Sequence, residues 1–166
     1  IITLRADSWC PHNCEPSPKE PSYLGYMVDI ATEVFGEKNI DYKVLNWARA
    51  IIDTREGKYS AIVGSAHADA PDFVFPKIEQ GKTEQCFFVR KDSAWQYNGI
   101  KSLAPIRLGV INLYSYGDEI DIYIKNNLKN QKSLDVVSGD KALELLTHKL
   151  EVGVIQALIE DTSVFK

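Results

Sequence analysis

The chain has 166 residues, of which 45% are hydrophobic and 25% are charged, and its formal net charge is -4. This composition is that of a globular protein with enough chain for one large core or two small ones. The charge balance disfavours a nucleic-acid binder, because such proteins cluster Lys and Arg to neutralise phosphates. The sequence also lacks the run of about 20 apolar residues that a membrane span requires.

The first part of the chain alternates between strand-like and helical hydrophobic patterns. The pattern predicts five elements and one Pro-rich loop, which are, in chain order, a strand over Ile1–Asp7, the loop containing Pro11 to Pro21, a helix over Gly25–Phe35, a strand over Asp41–Trp47, a helix over Ala48–Arg55 and a strand over Ser60–Ser65. The order β-α-β-α-β is typical of a parallel sheet that is covered by helices.

After a Pro-containing loop over Asp69–Gln80, the alternation begins again. The second set of predicted segments is a strand over Thr83–Lys91, a polar connector over Asp92–Ser102, a strand over Arg107–Ile111, a helix over Tyr116–Asn127, a strand over Ser133–Val137, a helix over Lys141–Leu150 and a strand over Val152–Gln156. The last residues, Ala157–Lys166, are predicted to begin another helix. We therefore expect lobe 1 over 1–92, a hinge over 93–102 and a partial lobe 2 over 103–166.

The three cysteines leave several interpretations open. Cys10 and Cys14 favour a disulfide of an oxidising compartment, which would stabilise the domain by about 2 kcal/mol. A metal site that adds His12 lacks the second pair of ligands that structural zinc needs. A redox dithiol normally has the shorter C-x-x-C spacing, and two free buried thiols are a further alternative. Cys86 lies in an apolar run and is expected to be a core residue of a strand.

Four segments occur in an order that carries a family resemblance: Ile1–Asp7, Gly25–Ala31, Gly57–Gly64 and Phe73–Pro76. Together they resemble the extracellular solute-binding proteins of family 3, the amino-acid-transporter type. In that family a first strand leads to a G-Y-x-x-D-I/L helix, then to a G-x-Y-D-A/V-I strand and an F-x-x-P segment. The resemblance implies a two-lobed α/β protein with the type II periplasmic-binding-protein fold, which is not an enzyme and needs no cofactor or metal.

The resemblance also implies how such a protein works. It would bind a small solute in the cleft between its lobes, close around it, and deliver it to the membrane permease of an ABC transporter. Its location would be the periplasm or the cell exterior, after removal of a signal peptide, and we expect a monomer.

Two features depart from the family pattern. Members usually carry an Arg in a T-x-x-R context after the third strand, and its guanidinium binds the ligand α-carboxylate through two hydrogen bonds. The segment Ser65–Asp72 contains no Arg, so an ordinary α-amino acid is not the expected ligand. His67, Arg49 or helix N-termini would have to bind an anion instead, or the ligand is not anionic. The chain also ends before the family's return from lobe 2 to lobe 1, so we expect a fold truncated at the C-terminus.

Ligands of open α/β sheets bind at the carboxyl ends of the strands, and this rule selects ten candidate ligand-binding residues. They are Trp9, Trp47, Arg49, Ser65, Ala66, His67, Asn112, Tyr114, Ser115 and Gln156. The aromatic side chains among them predict stacking or apolar contact with the ligand, against the alternative of packing in the core. The polar side chains would alternatively form turns and helix caps.

Two other functions remain open. The chain would serve equally as the ligand-sensing input domain of a membrane receptor, kinase or cyclase, in which case an apolar span follows it. Dehydratase-like and lyase-like enzymes also use this fold. The sequence contains no G-x-S-x-G, Walker or H-E-x-x-H motif, and Cys86 lies in mid-strand, where a thiol is inert.

Overall fold

A computed structural model describes residues 1–165 and divides the chain into two compact units, Ile1–Thr83 and Glu84–Phe165. We call them unit 1 and unit 2 and describe each by itself. Each has its own sheet and its own hydrophobic core. Lys166, the last residue of the predicted lobe 2, lies outside the described residues.

Unit 1 contains a three-stranded parallel sheet and two helices. β1 (Ile2–Ala6) lies between β2 (Ile40–Val44) and β3 (Ala61–Ile62), and the connections contain α1 (Tyr26–Phe35) and α2 (Trp47–Arg55). The predicted β-α-β-α-β order is confirmed. The core side chains come from all of these elements except α2, and the buried ones are Leu4, Ala6, Met27, Val28, Ala31 and Val63, with partly buried hydrophobic residues of β2 and β3 packed against them.

Arg5 is a buried cation in the middle of this sheet. It alternates along β1 with Leu4 and Ala6, which join the core, as the two-residue period of a strand requires. Its guanidinium binds the Asp41 carboxylate at 2.9 Å and lies 4.3 Å from the centre of the Tyr59 ring. The hydrogen bond from Arg5, more than the charge, lowers the pKa of Asp41. The pair therefore links β1 to β2 through side chains as well as backbone.

Unit 2 contains a four-stranded mixed sheet and two helices. Its elements are β4 (Gln85–Val89), β5 (Leu108–Ile111), α3 (Asp118–Asn127), β6 (Leu134–Val137), α4 (Ala142–Glu151) and β7 (Ala157–Asp161). The strand order is β4-β7-β5-β6, with β5 parallel to both of its neighbours and β4 antiparallel to β7. Every residue of β5 and β7 is buried, as continuous apolar central strands of such a sheet usually are.

The strand expected at the end of lobe 1 belongs to unit 2. β4 pairs with β7 along its whole length, so the two units divide between Thr83 and Glu84, upstream of the expected boundary. The segment 93–102, expected as a hinge, lies inside unit 2. There the Trp95 indole donates a hydrogen bond of 2.8 Å to the Ser102 carbonyl, and the rings of Trp95 and Tyr97 pack on Phe87 with centroid distances of 5.5 and 4.3 Å.

The position of the last strand was predicted wrongly. We expected a strand over Val152–Gln156 and a helix after it, whereas β7 begins only at Ala157. Residues 152–155 instead form the turn that ends α4, in which the Val154 amide donates to the Lys149 carbonyl. Gly153 has a φ of 80°, a conformation that glycine adopts without steric cost at the end of a helix. The apolar run is continuous across this turn, which is why periodicity alone placed the strand too early.

Candidate functional site

The carboxyl ends of the three parallel strands of unit 1 lie at one edge of its sheet, which we call edge 1. Asp7–Trp9 follow β1, Leu45–Trp47 follow β2, and Val63–His67 follow β3. Edge 1 therefore brings together six of the ten predicted site residues, including Arg49 in the first turn of α2. This is the edge at which open α/β sheets bind ligands, next to the position where the chain direction reverses across β1.

A short disulfide-closed loop lies at edge 1. The predicted Cys10–Cys14 disulfide is present, with the two Cα atoms 4.6 Å apart. Within the loop, the Trp9 ring stacks on His12 at a centroid distance of 4.1 Å, and His12 Nδ1 lies 2.8 Å from the Tyr26 hydroxyl. His12 is buried here and has the packing role that we expected for it.

Two glycines allow the disulfide loop to lie this close to the sheet. A Cβ at Gly25 would lie 2.5 Å from the His12 carbonyl oxygen, and a Cβ at Gly64 would overlap the Asn13 side-chain oxygen. Both glycines also have positive φ values, 94° and 80°. The positions therefore require glycine for two reasons, conformation and close approach. Sequence reasoning used both residues only as family markers and missed this role.

The two tryptophans of edge 1 offer little surface in this structure. Trp9 is 8% exposed and Trp47 is 4% exposed. Burial of this extent agrees with the packing role that the sequence left open as the alternative for each ring. Their contact with a ligand stays a prediction.

Arg49 has internal partners at both ends of the residue. Its backbone amide donates to the Asn46 side chain, which caps α2, and its Nε donates to Asp53 one turn further along the helix at 3.2 Å. Lys58 also binds Asp53, at 2.8 Å. The hydrogen bond from Lys58 is the larger cause that lowers the pKa of Asp53, followed by that from Arg49. The guanidinium is therefore bonded toward the C-terminal half of α2.

The segment after β3 is the most accessible part of edge 1. Ser65 is half-buried, whereas Ala66 and His67 are exposed. The Ala66 amide donates to the Asp69 carboxylate at 2.7 Å, which closes a turn. The His67 ring lies 3.9 Å from the Phe75 ring centre. The three predicted residues therefore form a compact turn with an aromatic pair beside it.

A charge pair that the sequence did not reveal holds this segment to α2. Arg55 binds both carboxylate oxygens of Asp72, at 2.6 and 2.8 Å, and lies over the Phe73 ring at 5.3 Å. The mutual hydrogen bonds raise the pKa of Arg55 and lower that of Asp72. The partners are far apart in sequence, so no local pattern could have identified them.

Unit 2 has a corresponding edge, edge 2, where β5 ends and Asn112–Gly117 lead into α3. The Tyr116 hydroxyl accepts a hydrogen bond from the Ile111 amide at 2.8 Å. The Asp121 carboxylate accepts hydrogen bonds from Ser115 Oγ at 2.6 Å and the Tyr116 amide at 2.8 Å. Ser115 is therefore bonded to an acidic residue in the first turn of α3. The sequence signal for Asp121 was its position in that first turn.

Three other residues complete the description of edge 2. The Asn112 amide donates to the Val137 carbonyl, while its side chain makes no hydrogen bond within residues 1–165. Tyr114 is half-buried and packs against both apolar clusters of unit 2. Leu113 is 49% exposed and has a φ of 64°, which costs a residue with a side chain about 1–2 kcal/mol.

Gln156 does not lie at edge 2, and the reason for selecting it was wrong. It precedes β7 and so lies at the amino end of that strand. There its backbone amide donates to the Arg107 carbonyl, and its side chain accepts from the Arg107 amide at 2.9 Å and donates to the Gly153 carbonyl. Gln156 therefore ties together the opposite ends of β5 and β7.

Within residues 1–165, no group of three or more His, Cys, Asp and Glu side chains is arranged to hold a metal ion. In the same part of the chain, no helix has the length and apolar character needed to cross a membrane. Cys86 is a half-buried free thiol in β4, opposite Glu160 of β7.

Three solved structures share this architecture. An arginine-bound mutant of ArgBP from T. maritima has a TM-score of 0.72 at 16% identity, over 99% of this chain and 74% of that one. The chain has the fold of a substrate-binding protein. An amino acid ABC transporter substrate-binding protein from Streptococcus pneumoniae, bound to L-arginine, has a TM-score of 0.71 at 17% identity, over 99% and 67% of the two chains.

The third structure concerns glutathione import in Gram-positive bacteria via GshT and the cystine ABC importer TcyBC of Streptococcus mutans. It has a TM-score of 0.71 at 19% identity, over 97% of this chain and 67% of that one. No protein-family model and no curated protein matches the chain. Identities this low show the fold alone, and they confirm the predicted α/β substrate-binding fold. The names of these structures describe binding and import, not catalysis.

Proposed function

We propose that the chain binds a small solute in a cleft between its two units and delivers it to the membrane permease of an ABC transporter. One observation carries the proposal: each unit presents predicted site residues in loops at the carboxyl ends of parallel strands. That is the usual ligand position in open α/β sheets. The neighbours with this fold include substrate-binding proteins of amino acid ABC transporters.

The ligand-binding residues in this proposal come from both edges. Edge 1 contributes the turn Ser65–His67, with Trp9, Trp47 and Arg49 around it. Edge 2 contributes Asn112, Tyr114 and Ser115. The side chain of Asn112 supports a ligand role most directly, because it is half-buried and makes no hydrogen bond within residues 1–165. An amide in that state can both donate to and accept from a polar solute.

Closure follows from binding in this mechanism. A ligand that contacts both edges has a higher affinity for the closed arrangement, and this difference shifts the population toward closure. The closed form is then the one that the permease recognises. The protein works as a monomer and not as an enzyme, so the ligand leaves chemically unchanged.

The periplasm or the cell exterior is the proposed location. The Cys10–Cys14 disulfide supports it, because such bonds persist in oxidising compartments and are rare in the cytosol. The same location is required of a protein that meets its solute before import.

Isothermal titration calorimetry against a panel of amino acids, amines, sugars and short peptides tests the proposal. We expect one class of solute to bind with 1:1 stoichiometry and to raise the melting temperature. Asn112→Ala is expected to weaken binding about tenfold, since one hydrogen bond to a charged group contributes about 1.5 kcal/mol. The matched control is Asn127→Ala, which alters an amide that is bonded within α3. A panel without any binder would contradict the proposal, and conversion of the solute during incubation would indicate an enzyme.

A further inference from the structure

We propose that the solute is an amine, whose cationic end binds at edge 1 and which carries no α-carboxylate there. This inference rests on the proposed binding function and names its substrate class. It follows from an inventory of the groups at edge 1 that could bind a carboxylate, because those groups are already bonded within unit 1.

The basic side chains come first. Arg5 is 5% exposed and is paired with Asp41. Arg49 is bonded to Asp53, four residues further along α2, which is about 6 Å along the helix from the end that faces edge 1. Asp53 also binds Lys58. Neither arginine therefore presents an uncompensated positive charge at edge 1.

The backbone amides are the second source of anion binding, because the first turns of helices have unbonded N–H groups. In α1, the amides of Tyr26 and Met27 donate to the carbonyls of Pro11 and His12 in the disulfide loop, at 3.2 and 3.0 Å. In α2, the Arg49 amide donates to the Asn46 side chain. A ligand carboxylate would have to displace partners that the fold itself positions.

The turn after β3 uses its own amide in the same way. The Ala66 amide, the donor nearest to the missing family Arg, binds the Asp69 carboxylate at 2.7 Å. Asp69 thus occupies the place that a ligand anion would take. Its negative charge also repels a second carboxylate, and like charges at short range cost specificity and affinity.

The remaining groups favour a cation. Asp7 follows β1, and the register Arg5↔Ile62 places it beside Gly64 at the end of β3, so a second negative charge lies on the same edge as Asp69. The exposed pair of His67 and Phe75 provides aromatic surface next to this turn. Negative charge beside an aromatic face is an arrangement that attracts organic cations.

Calorimetry with matched pairs of ligands tests the inference on the full chain. Each pair consists of an amino acid and its decarboxylated amine: arginine with agmatine, lysine with cadaverine, and ornithine with putrescine. We expect at least one amine to bind about tenfold or more tightly than its amino acid, and added salt to weaken the binding. A neutral sugar and a neutral peptide complete the panel.

The outcomes separate the two proposals. Equal or tighter binding of the amino acid would overturn the amine inference and leave the proposed binding function intact, as would binding of neutral solutes alone. If no solute bound, both proposals would fail.

A pair of variants locates the effect at edge 1. Asp69→Asn removes the charge and keeps an oxygen that accepts from the Ala66 amide, so the turn is retained. We expect it to weaken amine binding about tenfold and to bring the affinities of amine and amino acid together. Glu37→Gln, which removes one exposed negative charge before β2, is the control and should leave both affinities unchanged. An unchanged amine affinity in a folded Asp69→Asn protein would overturn the assignment to edge 1.

Discussion

Edge 1 and edge 2 hold their loops by different means. At edge 1 a disulfide, an aromatic stack and two glycines fix the loop after β1. At edge 2 the loop after β5 depends on hydrogen bonds to Tyr116 and Asp121, and it contains Leu113 in a left-handed conformation. The comparison teaches that one half of the proposed site is built as a rigid surface, while the other half holds its shape through a few replaceable contacts. A ligand would therefore order edge 2 more than edge 1.

Substitution of Gly64 should have the largest effect and would break the rigid side of this comparison. Gly64→Ala places a Cβ against Asn13 and Trp9 at a φ of 80°. We expect a loss of about 2–4 kcal/mol from the free energy of unfolding. Gly57→Ala is the control, because its φ is similar, 77°, and nothing lies within 4 Å of the added Cβ. It should cost only about 1 kcal/mol in a urea titration. Equal losses would show that close approach is unimportant at Gly64.

Removal of the disulfide should have the next largest effect. The double variant Cys10→Ser and Cys14→Ser is expected to lose about 2 kcal/mol, the loop-closure entropy of so short a ring. Thermal unfolding with and without reductant measures this loss. Cys86→Ser is the control and should respond to reductant as the unaltered protein does, since Cys86 is a free thiol. A double variant as stable as the unaltered protein would mean that stacking alone fixes the loop.

Asp121 tests edge 2. Asp121→Ala removes the acceptor of two hydrogen bonds, and we expect about 1–2 kcal/mol of destabilisation together with weaker ligand binding. Asp118→Ala alters an exposed carboxylate in the same first turn of α3 and should cost less than about 1 kcal/mol, with binding unchanged. Chemical denaturation and calorimetry of both variants provide the comparison. Similar effects of the two substitutions would indicate that only the charge near the helix N-terminus matters.

The smallest expected effect concerns Leu113. Leu113→Gly relieves the left-handed backbone but loosens the unfolded chain, so stability should stay the same or rise by less than about 1 kcal/mol. Leu128→Gly, at an equally exposed position with a φ of -50°, should lose about 1 kcal/mol. A clear loss of stability in Leu113→Gly would show that the leucine side chain makes contacts that outweigh its strain.

Much of the fold could be predicted from sequence because its elements carry clear periodicity. The helix over Gly25–Phe35 and the strand over Arg107–Ile111 were placed to within one residue of α1 and β5. The last strand was misplaced because Val152–Ile159 is apolar throughout, and only the positive φ of Gly153 separates turn from strand. Strand pairing was the other limit, since the pairing of β4 with β7 joins residues from opposite ends of unit 2.

The candidate site was predictable as a set of loops but not as chemistry. The rule of strand carboxyl ends selected edge 1 and most of edge 2 from the order of elements. It could not show that Arg49 is bonded to Asp53 or that Asp121 binds Ser115, because these depend on side-chain direction along a helix and across a loop. Gln156 was lost from the site by the same error that misplaced β7.

The most direct test of the proposed function is an NMR titration of the amide resonances with the tightest solute from the calorimetric panel. Binding between the units predicts that amides of Ser65–His67 and of Asn112–Ser115 shift together and saturate with one dissociation constant. Shifts confined to one edge, or two different constants for the two edges, would contradict a single ligand held by both units.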